Sequence, residues 1–208
     1  LKKNPQLPCL LHLKAVIQIS RDELDDARAT VDGLLQAAPE NPASLALGAE
    51  LTLLEDKVTD AVSQVQLALE HLEGDMPVEL FGALVSTGRA LLQTGDLLGA
   101  RGHLMFANAA SQGANEELAS LVAGLHRDPK IPLLLRDSLD PLPCPEDVAW
   151  QGEFAAAIRC WSRGRWRLAV EQLSSLDDKV PQQRAVLKNL AIARGYLGNL
   201  PATIAAWR

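Results

Sequence analysis

The chain has 208 residues, 48% of them apolar, which suffices for a packed core and exceeds what a disordered chain carries. A formal net charge of −6 disfavours a dedicated nucleic-acid binder, and only 3 Phe, 4 Trp and 1 Tyr argue against a large all-β domain. No run of about 18 residues is free of charge and polarity, so no membrane span is expected, and Leu1-Lys2-Lys3-Asn4-Pro5 does not open a signal peptide.

In chain order, residues 22–38 place Leu24, Ala27, Val31, Leu34, Leu35 and Ala38 at three- and four-residue steps, one face of an amphipathic helix. Ser20 and Glu23 have the spacing of a capping box before it. Pro39, Asn41 and Pro42 mark its stop and the next start, with Pro42 suited to a first helical turn. Further helical faces follow over 42–55, 57–72, 77–94, 97–110 and 115–127, the last carrying Leu118, Leu121, Val122 and Leu125. From Asp128 to Pro145 the chain holds Pro129, Pro132, Pro141, Pro143 and Pro145, which forbids a continuous helix. Helical patterns resume beyond it. The final helix is expected after Gly198-Asn199-Leu200-Pro201, running to Arg208 with Trp207 near its end. A start at Leu1 rather than Met, and that uncapped last helix, lead us to expect a piece of a longer chain.

Charge is unevenly spread. Residues 1–75 hold 6 basic and 13 acidic side chains, residues 76–146 hold 5 and 8, and residues 147–208 hold 9 and 5. The division expected is therefore an acidic helical part (1–127), a proline-rich extended segment (128–146) and a basic helical part (147–208). Cys9, Cys144 and Cys160 form no CxxC pair and no disulfide framework, so reduced thiols in the cytoplasm are expected.

A repeat underlies the helices. Ala15 and Ala27 are twelve apart, as are Ala49 and Ala61, Gly88 and Ala100, Ala157 and Ala169, and Ala191 and Thr203. Seven beyond the second member stand Leu34, Ala68, Ala107 and Leu176, and five before it Gly95, Gly164 or Gly198. Antiparallel helices approach closely only where small side chains face each other, and the turn calls for a residue that tolerates a left-handed backbone. Ala27 to Ala61 spans 34 residues and Ala61 to Ala100 spans 39. Ala100 to Ala169 spans 69, so one repeat lies between with its second helix replaced by the extended segment.

This pattern resembles the tetratricopeptide repeat, a helix–turn–helix unit of about 34 residues. Gly88, Gly95, Ala100 and Ala107, and then Gly164, Ala169 and Pro181, carry the resemblance, with aliphatics at most of the family's aromatic positions. It implies an all-α, right-handed solenoid of antiparallel helix pairs, interrupted by the proline-rich segment. It further implies that first helices line a concave face. Outward positions there are His12, Val16 and Ile19, then Ala46, Glu50 and Leu53. The candidate partner-binding residues are Val85, Arg89, Leu92, Phe154, Ile158, Trp161, Lys188, Ile192 and Tyr196. The family's clamp for acidic chaperone tails needs several basic residues in these places, and only Arg89 and Lys188 fit.

The segment 128–145 carries Ile131, Leu133, Leu134, Leu135, Leu139 and Leu142, side chains worth about 1.5–3 kcal/mol each on burial. Three readings stand: it covers a neighbouring helix, it fills the concave groove, or it is a docking strip. Cys9 and His12 lack a third metal ligand, and no HExxH, acid–base pair or GxxxxGK loop occurs. No catalytic residue, metal or cofactor is expected. Arg159, Arg163, Arg165 and Arg167 with Trp161 and Trp166 could contact nucleic acid, or could cap and pack a helix pair. The leading expectation is a non-enzymatic scaffold that binds a protein or peptide partner in its concave groove. A self-occupied spacer or oligomer contact is the alternative. A weak nucleic-acid or regulator module using residues 159–167 is the third.

Overall fold

The computed structural model describes residues 8–127 and 141–198. Among them all regular structure is helical. The first helices are α1 (Pro8–Ser20), α2 (Leu24–Ala37), α3 (Pro42–Leu54), α4 (Val58–Glu70) and α5 (Val78–Gln93). Then come α6 (Leu97–Ala110), α7 (Glu116–Arg127), α8 (Gln151–Ser162), α9 (Trp166–Lys179) and α10 (Arg184–Tyr196). No helix among the described residues is long and apolar enough to cross a membrane.

The spacing of small residues explains the pairing. Ala15, Ala27, Ala49, Ala61, Ala100, Ala157, Ala169 and Ala191 are all fully buried. Where these methyls face one another, α1 lies against α2, α3 against α4, and α8 against α9. The turns follow the same register. Gly95, Gly164 and Gly198 have φ of 84°, 74° and 78°, the left-handed region in which glycine has no Cβ penalty. In the first two pairs Asp22 and Asp56 occupy that position at 61° and 59°. Aspartate visits this region more readily than most side chains because its short polar group bonds locally.

Helix starts agree with the sequence at α3, where Pro42 is the first residue and Asn41 Oδ1 accepts from Ser44 N at 3.0 Å. They differ at α2. The expected capping box does not form: Ser20 still belongs to α1, its hydroxyl donates to Ile17 O at 2.7 Å, and Glu23 makes no side-chain cap. The turn through Asp22 separates the two residues.

The chain forms two compact units whose boundary falls after Ala90, inside α5. In the first, α2 bridges α1 and α3, and Ala15, Ala27, Val31, Leu34, Leu47 and Leu51 form a closed core. In the second, α8, α9 and α10 pack in succession, with a core of Phe154, Ala157, Leu173, Leu176, Ala185, Val186 and Leu190. Here α6 packs on both α7 and the distant α10. The joint is aromatic: Trp166, Ile192 and Tyr196 with Leu98, flanked by Phe106 and Trp161. A Cβ on Gly102 of α6 would stand 2.5 Å from the Tyr196 ring, so glycine permits this approach. A repeat array in which each pair meets only its sequence neighbours has no such contact.

Residues 128–140, most of the proline-rich segment, and 199–208, with Thr203 and the expected final helix, lie outside the described residues. The stretch 141–145 is described and has no regular secondary structure.

Candidate interaction site

Among the described residues, an open place in the first unit and a filled one in the second bear on partner binding. A cavity of about 390 Å³ is lined by Val16, Ile19 and Ser20 of α1, Leu47 and Glu50 of α3, and Val78 and Glu79 of α5. The three helices α1, α3 and α5 thus contribute one face each, through residues three apart on a helix or adjacent on it. The apolar part is accessible: Val78 is 76% exposed and Val16 40%. Such side chains in water are the raw material of a docking surface rather than of a core.

The polar part is acidic. His12 Nε2 and Glu79 Oε1 are hydrogen-bonded at 3.1 Å. Glu50 is half-buried, and its carboxyl group titrates above its ordinary range, first because burial desolvates the charged form and then because Glu79 is nearby. Gly82 of α5 makes room for it, since a Cβ there would stand 2.9 Å from Glu50 Oε1. His12, Glu50 and Glu79 do not form a metal-ligating group, nor do any three His, Cys, Asp or Glu among the described residues.

The filled place lies in the second unit. Asn189 is fully buried. Its Nδ2 donates to Leu142 O at 3.0 Å, and its Oδ1 accepts from Leu142 N at 2.7 Å. One carboxamide therefore satisfies both backbone groups of Leu142, the pairing a neighbouring β-strand would otherwise supply. Leu142 and Cys144 pack against the α8–α9–α10 core. Burial pushes the Cys144 thiol up, away from the reactive thiolate.

The sequence-predicted residues divide by location. Val16, Ile19 and Glu50 line the open cavity, whereas Ala46 is buried. On α5 the cavity uses Val78 and Glu79 at the helix start; Val85 and Leu92 are partly buried further along, and Arg89 is exposed. In the second unit Phe154 is buried in the α8–α9–α10 core with Ile158 beside it, and Ile192 and Tyr196 are buried in the aromatic joint. Trp161 stacks on Tyr196 at 5.8 Å, and Lys188 is partly buried. The structure thus brings Trp161, Ile192 and Tyr196 together, and Phe154 with Ile158, but each group packs within the unit. In the arginine cluster, Trp166 is buried against His103 at 4.9 Å, while Arg159, Arg163 and Arg167 are exposed, Arg167 pairing with Glu171 at 3.2 Å.

Sequence reasoning missed Val78, Glu79 and Asn189 as site residues. Asn189 carried a signal, a polar residue on a helical stripe with Val186, Leu190 and Ala193, where a buried amide requires partners. No protein-family model matches the chain, and no curated protein matches it.

Proposed function

We propose that the chain is a non-enzymatic protein-interaction scaffold of the tetratricopeptide-like kind, a right-handed array of helix pairs that holds a peptide or protein partner against its first helices. The open cavity across α1, α3 and α5, with exposed Val16 and Val78, is the observation that carries this reading. The cytoplasm is the proposed compartment, supported by three free cysteines. The test is display of randomised 12-residue peptides against the full chain. Enriched peptides should lose at least about tenfold in affinity, near 1.4 kcal/mol, on Val16→Asp with Val78→Asp. Both valines are exposed, so helix content should stay unchanged. Enriched peptides indifferent to both changes would sink the reading.

A second reading is favoured by the Asn189–Leu142 pair: the groove of the second unit is occupied by the chain's own extended segment, and this unit serves as a spacer or oligomer contact. Asn189→Ala should then destabilise the second unit by about 1–3 kcal/mol, because two partly buried backbone groups lose their partner. Amide exchange at Leu142 should accelerate with it. An unchanged exchange rate would dismiss the pairing as incidental.

A further inference from the structure

The open cavity has a chemical character that narrows its occupant. Its walls are aliphatic, from Val16, Ile19, Leu47 and Val78, and its polar groups are the carboxylates Glu50 and Glu79 with the hydroxyl of Ser20. No cation is among the lining residues. Glu79 has a partner in His12. Glu50 has no cationic partner among the described residues, although it is half-buried and lies near a second carboxylate. A desolvated carboxylate beside another is unfavourable until a positive charge reaches it. The surrounding sequence adds to the field, with 13 acidic and 6 basic residues over positions 1–75. An acidic tail is therefore repelled, and a purely apolar helix leaves Glu50 buried deeper without compensation.

Resting on the scaffold reading, we propose that this cavity takes an apolar partner segment bearing a lysine or arginine, whose cationic head meets Glu50 and Glu79 while neighbouring aliphatic side chains cover Val16 and Val78. The long stem of such a residue is itself apolar, so it crosses the valine-lined part and delivers its charge to the carboxylates. Gly82 belongs to the same device: it leaves Glu50 the space in which to stand against α5.

The 12-residue peptides enriched on the full chain test this directly by fluorescence anisotropy. They should carry Lys or Arg among aliphatics. Glu50→Gln with Glu79→Gln, which keeps shape and removes charge, should weaken binding by about tenfold or more. Replacing the peptide's basic residue by methionine should cost the same, and the two losses should not add. Peptides that depend on Val16 and Val78 but lack a basic residue, or ignore the Glu→Gln pair, overturn the charge proposal and leave the scaffold reading standing. Peptides that ignore Val16→Asp and Val78→Asp, or no enrichment at all, overturn both. Circular dichroism of each variant separates lost binding from lost folding.

Discussion

At the scale of single residues, His103 is the group whose chemistry the fold changes most. It is fully buried in α6, edge-on to Trp166 at 4.9 Å, and bonded through Nδ1 to Gly99 O at 2.9 Å. Burial, only partly offset by that bond, lowers its pKa from 6.5 to about 4. Between those values the unfolded chain binds the proton and the folded chain does not. Stability therefore rises with pH across this window, and the contribution is lost as pH falls from 6.5 towards 4, by roughly 3 kcal/mol in full. The chain should lose stability to denaturant over that range more steeply than a His103→Phe variant, and parallel profiles would refute the assignment. From sequence alone His103 was one of four scattered histidines. Neither its burial nor its aromatic neighbour, 63 positions away, was legible there. Glu50 has the same history: its helix was readable, but the glycine that accommodates it stands on another one.

At the scale of elements, much was legible because the governing forces are local. The six described helices for which bounds were expected, α2 to α7, fall within two residues of them, as at α6 (Leu97–Ala110) and α3 (Pro42–Leu54). The twelve-residue step between small side chains was readable because it reflects the distance from one helix face, around a turn, to the facing helix. The left-handed turn was readable only where glycine fills it. Asp22 and Asp56 hold the same conformation with a residue type that is common on any polar surface, so composition gave no cue. The cap of α2 failed for a related reason: a pattern of residue types three apart does not reveal that the preceding helix has not yet ended. Asn189 stands out as a polar residue on an apolar helical stripe, but the backbone that it holds, at Leu142, lies 47 residues away and no periodicity names it.

At the scale of the molecule, the departure from expectation is the contact of α6 with α10 in the second unit. It makes helices that are far apart in sequence depend on one another. Gly102→Ala tests that dependence, since the added methyl would lie 2.5 Å from Tyr196. Overpacking of this kind costs about 1–3 kcal/mol. Hydrogen exchange should speed up in α6 and in α10 together, while α1 to α4 in the first unit stay protected. Gly124→Ala, where nothing stands within 4 Å of the new Cβ, is the control and should stabilise α7 by about 0.5–1 kcal/mol. Faster exchange confined to α6 would mean that the joint is not a shared element. The joint also has a mechanical consequence. Tension applied across α6 and α10 is borne by the interlocked Tyr196 and Gly102 before it reaches anything between them, so α7 to α9 sit in a shielded loop. Once that clasp ruptures, load passes to the α8–α9–α10 core and to α7, and the 73 residues between Ala110 and Arg184, about 250 Å at full extension, lengthen only as those helices unfold in turn.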